Sequence, residues 1–182
     1  GATNVDNSTL RTLIVDYTDA PNTYGTLKAS TGAAHTIANG LYLGANVFKE
    51  TNGKPTANAL GDGNEENGVV FPTTLDSSAT SGLPAYVDIT ASAAGKLDIW
   101  LDRNQNGVFN HPSEHLKGGV SFNVTKGSNR INFTIPKGTP AGDTYMRFRL
   151  STAGSLQPTG RANDGEVEDY AVTIRTIQAP VK

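Results

Sequence analysis

The stretch Asp164-Gly165-Glu166-Val167-Glu168-Asp169-Tyr170 places four carboxylates within six residues and leads directly into the run Tyr170-Ala171-Val172-Thr173-Ile174. Side chains alternate between the two faces of a strand, so Glu166, Glu168 and Tyr170 are expected to share one face. Like charges this close repel one another unless a cation or water relieves the repulsion. A solvated acidic loop before a last strand would also explain the stretch. Other acidic clusters in the chain favour a site for a hard cation.

A second acidic element follows the expected strand 95–101 directly. Residues 102–107 have the D-x-[DN]-x-[DN]-G spacing, in which side-chain oxygens at positions 1, 3 and 5 and a carbonyl at position 7 bind calcium. The residues at these positions are Asp102, Asn104, Asn106 and Val108. Ser113 stands where an EF-hand has its closing carboxylate, and Glu114 follows as the substitute. The alternative is an Asx-rich turn without an ion.

Two further acidic clusters extend the prediction of metal sites. One lies at 62–67, and the other is the pair Asp16 and Asp19, which we expect to meet the 164–169 stretch in space. Calcium is the expected ion throughout because carboxylate and amide oxygens are its preferred ligands. Outside the 102–114 loop, the candidate ligands are Asp16, Asp19, Asp62, Glu65, Glu66, Asp164, Glu166, Glu168 and Asp169.

These stretches resemble the GEVED domain, a module of large secreted and surface proteins of bacteria. Residues 165–170 read as its signature motif, and residues 16–26 resemble its opening motif. Further motifs follow in order at 35–37, 40–44 and 61–69. The resemblance implies an extracellular, β-rich, calcium-binding module of an adhesin-like protein, and it does not identify a ligand. In the 61–69 motif the family is richer in aspartate, where this chain carries Gly63, Asn64 and Asn67.

Composition narrows the possible classes of protein. With 182 residues, we expect one module over residues 1–177 and a linker or tail at 178–182. No apolar run approaches the ~20 residues of a membrane span, so we expect no membrane insertion. A net charge of -2 without a basic patch argues against nucleic acid as a partner. The absence of cysteine excludes disulfides and thiolate metal sites. We therefore expect bound calcium to stabilise the fold instead.

Short β-branched and aromatic runs between turns predict an all-β fold, an antiparallel β-sandwich with long calcium-binding loops. The expected strands are 10–17, 68–71, 85–91, 95–101, 118–125, 130–135, 143–150 and 168–177. Within 143–150, alternation sets Arg147 and Arg149 opposite Met146 and Phe148. The polar segment 19–67 is long for a loop, and such loops tend to carry function.

Catalysis finds little support, and we expect no enzyme and no catalytic residues. No G-x-S-x-G elbow or phosphate-binding loop occurs. Paired carboxylates such as Glu166 and Glu168 leave a glycosidase open, but calcium explains them with fewer assumptions.

The candidate ligand-binding residues are Tyr24, Tyr42, Asp62, Asn64 and Arg161. Tyrosines in loops can stack on sugars or anchor a peptide. We therefore expect a calcium-dependent adhesion module of a large bacterial surface protein, a monomeric unit of a longer extracellular chain that binds a short peptide or another cell-surface ligand. The alternatives are a calcium-dependent carbohydrate-binding module and a calcium-rigidified spacer without a ligand.

Overall fold

The structure is a computed structural model that describes residues 13–38, 40–61, 63, 67–77 and 85–176. Its strands are β1 Val15–Tyr17, β2 Ala34–Thr36, β3 Val69–Val70, β4 Leu75–Asp76, β5 Ala85–Ala91, β6 Gly95–Leu101, β7 Phe122–Val124, β8 Gly127–Phe133, β9 Gly142–Ser151, β10 Arg161–Ala162 and β11 Glu166–Arg175. Two short 3-10 helices occupy Asn22–Tyr24 and Lys28–Ser30, and the described residues include no α-helix. No helix in this part of the chain is long and apolar enough to cross a membrane. The expectation of an all-β fold is confirmed.

Two sheets pack face to face around the main core. One has the strand order β4-β11-β9-β6-β7 and is antiparallel except at β4, and the other is the antiparallel sheet β3-β5-β8. Their facing sides meet through apolar side chains that include Leu97, Ile99, Met146, Phe148, Leu150, Val87, Ile89, Ile131 and Phe133. Each such side chain contributes about 1.5–3 kcal/mol when it is fully buried.

Much of the second face of the five-stranded sheet is also buried. The expected alternation in β9 is observed, with Met146 and Phe148 in the core and Arg147 and Arg149 on the other face. Antiparallel sheets often leave one face to water, yet Arg147 and Arg149 are only 0% and 1% exposed. A further layer must therefore cover these two arginines.

That third layer comes from the first part of the chain. The sequence predicts a loop region open to a ligand at 19–67. In the structure, residues 19–36 largely pack over the outer face of the five-stranded sheet. Tyr24 and Ala20 form a second apolar cluster with Trp100 and Phe109. A small sheet of order β1-β2-β10 completes the layer, with β1 antiparallel and β10 parallel to β2.

A buried ion pair joins the third layer to the sheet. Arg147 and Asp169 are cross-strand partners in β9 and β11, and the guanidinium binds the carboxylate through Nε–Oδ1 at 2.8 Å and Nη2–Oδ2 at 2.7 Å. Arg147 Nη1 donates to the carbonyl oxygens of Tyr24 at 2.7 Å and Pro158 at 2.8 Å. The arginine thus donates to β11 and to two separate segments of the chain.

The carboxylate side of this pair reaches the same layer. Asp169 Oδ2 also accepts hydrogen bonds from the Thr18 hydroxyl and from the Ala20 amide, the latter at 3.2 Å. Both donors lie immediately after β1 in the chain. The pair therefore fixes the segment 18–25 from both of its partners.

The strand predictions succeed best where the alternation is longest. Strands β5 and β6 have the expected bounds, and β9 and β11 extend the expected ranges at their first residues. Strands β2, β4 and β10 were not expected, because two or three residues are too few to show a period. Residues 118–121 are not strand, and the calls at 10–12 and 178–182 lie outside the described residues.

Substitution of Asp169 by Asn tests the role of the buried pair. The change leaves the Arg147 charge buried without its counter-ion, so the free energy of unfolding should fall by about 3–5 kcal/mol. Denaturant unfolding measures it, and Asp88→Asn is the control because its pair with Arg130 is partly exposed, with Arg130 53% exposed. Equal losses in the two variants would contradict the assignment.

Candidate functional site

The loop after β6 is built around the buried carboxylate of Asp102. Its Oδ2 accepts hydrogen bonds from the Gly107 amide at 2.9 Å and the Tyr24 hydroxyl at 2.7 Å, and its Oδ1 accepts from the Asn106 amide at 3.2 Å. Gly107 has a φ of 84°, a conformation that glycine adopts at little cost. Burial and the adjacent Asp102 carboxylate raise the pKa of the Tyr24 phenol, so it remains a hydrogen-bond donor.

The two asparagines of the loop use their side-chain oxygens in local hydrogen bonds. Asn104 Oδ1 accepts from the Asn106 amide at 3.0 Å, and Asn106 Oδ1 accepts from the Val108 amide at 3.1 Å. Asp102 Oδ1 and Asn104 Oδ1 share one donor, so these two oxygens lie near each other. An all-oxygen donor set suits calcium, and the single carboxylate at these positions predicts weak affinity. The residues fit a calcium ion in donor chemistry.

Glu114 closes the loop through hydrogen bonds. Its Oε1 accepts from the amides of Arg103 at 3.0 Å and Asn104 at 3.2 Å, and its Oε2 accepts from the Asn110 amide at 2.8 Å and side chain at 3.0 Å. The carboxylate is 3% exposed. A role for Glu114 as a calcium ligand would therefore require it to exchange hydrogen bonds with backbone amides for the ion.

A cleft of about 380 Å³ lies directly beside this loop. One wall consists of Arg103, Asn104, Ser113 and Glu114, and residues 136–140 form the other. Gln105 Nε2 donates to the Pro140 carbonyl at 2.8 Å and so ties the two walls together. The exposed Lys137 also lines the cleft. The cleft and the candidate calcium loop share Asn104.

The acidic stretch 164–169 distributes its carboxylates among different partners. Asp164 accepts from the Thr152 amide at 2.9 Å and from its hydroxyl at 2.6 Å. Glu166 accepts from the Leu43 amide at 2.5 Å. Glu168 accepts from the amides of Asn67 and Gly68, both at 3.0 Å. Each of these carboxylates joins a different segment of the chain to β11 or to the turn before it.

The glycine of this stretch is required by its surroundings. Gly165 has a φ of 90°, and a Cβ at this position would lie 1.7 Å from the Leu150 carbonyl oxygen. Any larger residue would separate β11 from β9 at the point where the acidic residues begin. The glycine therefore permits the close approach on which the carboxylate contacts depend.

The carboxylates of Asp16 and Asp19 contact different segments of the chain, and that of Asp16 contacts the acidic stretch. Asp16 Oδ2 accepts from the Val167 amide at 2.8 Å, and Asp19 Oδ2 accepts from the Gly61 amide at 2.6 Å. Across the described residues, no three His, Asp or Glu side chains come together as a metal-binding group. The candidates Asp62, Asn64, Glu65 and Glu66 lie outside the described residues.

A second buried arginine holds the third layer without a carboxylate. Arg149 Nε donates to His35 Nε2 at 2.9 Å, and its other nitrogens donate to four backbone carbonyls. These carbonyls belong to Ala34, Gln157, Thr159 and Gly160. Burial and the nearby Arg147 lower the pKa of Arg149 to about 9, which leaves it protonated at neutral pH.

The hydrogen bonds of His35 define its protonation. Because Nε2 accepts from Arg149, Nδ1 carries the hydrogen and donates to the Asp164 carbonyl at 2.7 Å. Burial, followed by the Arg149 charge, lowers the pKa of His35 well below its ordinary value. His35 is therefore neutral in the folded protein, and its protonation would break the contact with Arg149.

On the same face, Asp98 brings together a serine and a histidine that do not form a nucleophile–base pair. Ser121 Oγ and His115 Nε2 both donate to Asp98 Oδ1, at 2.8 and 3.0 Å. His115 Nδ1 accepts from the Lys117 amide at 3.1 Å. The serine and histidine therefore converge on the carboxylate and both ring nitrogens are engaged, unlike a base that accepts the serine proton.

The expected ligand-binding residues occupy different environments. Tyr24 is 6% exposed and packs between Phe109 and Tyr145, so it is a core residue and does not line a surface. No alternating pattern of apolar residues surrounds Tyr24 in the sequence, so the sequence did not indicate that it is buried. Tyr42 is half-buried, and Arg161 is exposed with its guanidinium bound to Thr36 Oγ1 at 3.1–3.2 Å.

Comparison with known families gives one match. Residues 96–173 match the family model described as the GEVED domain. The matched region runs from β6 to β11 and includes the Asp102 loop, the acidic stretch and β10, while the third-layer strands β1 and β2 lie outside it. No curated protein and no solved structure matched the chain.

Acid should destabilise the protein through His35. Above about pH 6.5, His35 is neutral in both the folded and the unfolded state. Below this pH, His35 binds a proton in the unfolded state but stays neutral in the folded state. The free energy of unfolding therefore falls by up to about 1.4 kcal/mol for each unit by which the pH is lowered. Denaturant unfolding between pH 7 and 5 measures the slope. His35→Gln keeps an acceptor and a donor but does not titrate, so its slope should be shallower. Equal slopes would contradict the assignment.

Proposed function

Since residues 96–173 of this chain belong to the GEVED domain family, we propose that the chain is a calcium-dependent ligand-binding module of a large bacterial surface protein. It acts as a monomeric unit of a longer extracellular chain and recognises a short peptide or another cell-surface ligand, with calcium bound at the loop 102–108. No catalytic step belongs to this proposal, and neither nucleic acid nor insertion into a membrane has a part in it.

The observation that carries the proposal is the shared wall between loop and cleft. Asn104 supplies an oxygen to the candidate calcium loop and also lines the cleft of about 380 Å³. That volume lies within the range of small-ligand pockets. An ion that fixes the loop would also fix this wall, because Asn104 and Arg103 are bound to Glu114 through their amides. Ligand binding would then depend on calcium.

The charge of the cleft favours a ligand with acidic or hydrogen-bonding groups. Lys137 lines it, and Arg103 contributes a guanidinium that donates to the Ser113 carbonyl. The Glu114 carboxylate also belongs to the wall, but Glu114 is buried and its oxygens accept from backbone amides. Pro136 and Pro140 add apolar surface to the opposite wall. A peptide with both apolar and acidic side chains suits this combination, and a glycan is the alternative occupant.

A spacer without a ligand is the second candidate, and one observation favours it. The carboxylates of Asp164, Glu166, Glu168 and Asp169 bind protein donors that join separate segments. A module whose acidic residues are used in this way is suited to rigidity. A spacer without a ligand does not require an open cleft beside the loop 102–108, so the cleft favours the ligand-binding module.

Charge at position 104 should control calcium affinity. Asn104→Asp adds a second carboxylate and should lower the calcium Kd about tenfold, and Asn104→Ala should raise it by a similar factor. Isothermal titration calorimetry measures both, with Asn132→Asp as the control because Asn132 is exposed on β8, outside the loop. Asn104 suits this test better than Asp102, whose loss also removes the hydrogen bond from Tyr24. A calcium Kd that is the same in both Asn104 variants as in the wild type would contradict the assignment of the site.

Ligand binding should require both the ion and the cleft. A combined peptide and glycan array in millimolar calcium and again in EDTA should show calcium-dependent hits of one chemical kind. Lys137→Ala should weaken these hits, and Lys126→Ala, an exposed lysine outside the cleft, should leave them unchanged. Hits that persist in EDTA would contradict the calcium dependence, and an array blank in both conditions would favour the spacer.

A further inference from the structure

A separate cavity of about 370 Å³ lies on the outer face of the small sheet β1-β2-β10. The register places Tyr17, Ala34 and Arg161 side by side, so these residues share a face. The opposite face carries Asp16 and His35, which contact the acidic stretch. The cavity therefore lies on the side of the third layer that faces away from the five-stranded sheet.

Two cationic side chains line this cavity with unused donors. Arg161 Nε and Nη2 donate to Thr36 Oγ1, and the Nη1 group makes no hydrogen bond within the described residues. The exposed Lys28 ammonium has no hydrogen bond or ion pair with the described part of the chain. Within the described part of the chain both groups therefore keep donors for a ligand, and Thr36 orients the guanidinium.

The cavity also contains a carboxylate, but its charge is compensated. Glu50 Oε1 lies 2.7 Å from Lys54 Nζ, and Glu50 Oε2 accepts from the Tyr17 amide at 3.3 Å. The Glu50 side chain is 1% exposed. The charge that faces a ligand is therefore the positive charge of Lys28 and Arg161.

Apart from Thr51, the remaining lining is apolar or aromatic. Leu13, Val15 and Tyr17 alternate along β1 and the two residues before it, and all three line the cavity. An apolar lining suits a ligand with a carbon body, and a guanidinium fork matches the geometry of a carboxylate. A free inorganic anion would leave this apolar surface uncovered.

We propose that this cavity binds a small carboxylate-bearing ligand of monosaccharide or single-amino-acid size through Arg161 and Lys28, with its carbon body on Val15 and Tyr17. No residue of the loop 102–114 lines the cavity. Binding here is therefore independent of calcium and does not rest on the function proposed above. Failure of either proposal leaves the other standing.

The test is titration of the whole chain in EDTA with matched probes, followed by amide chemical shifts in NMR spectra. D-galacturonate should shift the amides of residues 15–17, 28, 50–51 and 161 and bind at least tenfold more tightly than D-galactose, which lacks the carboxylate. N-acetylalanine and its amide form a second pair. Binding by both acids assigns recognition to the carboxylate, and binding by one acid alone identifies the body that the apolar lining prefers.

Variants separate a site from a general charge effect. Arg161→Gln and Lys28→Gln should each weaken galacturonate binding at least tenfold, and both side chains are exposed, so the fold should persist. Arg130→Gln, which removes an exposed arginine on β8 outside the cavity, should leave binding unchanged. The proposal is overturned if neither acid binds, if acid and neutral probe bind alike, if Arg161→Gln binds like wild type, or if inorganic phosphate binds more tightly than the carboxylates.

Discussion

The structure depends on the need to compensate a buried charge pair on the outer face of the five-stranded sheet. Arg147 and Asp169 are both 0% exposed, and removal of two such charges from water costs several kcal/mol for each ion unless further hydrogen bonds satisfy them. Those hydrogen bonds come from the third layer, through the Tyr24 carbonyl, the Thr18 hydroxyl and the Ala20 amide. Residues 18–25 are therefore part of the same folding unit as the matched region 96–173, because their groups complete the hydrogen bonds of the charges that the five-stranded sheet buries.

The acidic stretch follows from the same constraint. Alternation along β11 directs Glu166 and Glu168 to one face and Asp169 to the other. Glu168 binds the amides that lead into β3 of the opposite sheet, whereas Asp169 binds the third layer. One strand thus joins all three layers through carboxylates that accept hydrogen bonds from backbone amides. The loop 102–108 is the segment at which we propose that calcium binds, and the neighbouring cleft is the proposed ligand site.

Sequence patterns predicted the parts of this fold in which one physical signal dominates. Strands β5 and β6 have the expected bounds because their alternating apolar residues form one face of the main core. The third layer could not be predicted, because much of its order comes from backbone carbonyls bound to Arg147 and Arg149, and carbonyls leave no trace in the sequence. The prediction that Tyr24 lies at a surface is wrong for a related reason. Its burial depends on contacts with Asp102 and Phe109, which are distant in the chain.

The central claim is that carboxylates of the acidic stretch hold the layers together while calcium binds at the loop 102–108. A calcium titration of the labelled protein, followed by amide chemical shifts, tests it most directly. The account predicts large shifts at residues 102–108, smaller ones across the cleft at 136–140, and little change at 164–169. Amide shifts centred on residues 164–169, with the loop 102–108 unchanged, would contradict the account and would identify the acidic stretch as the metal site.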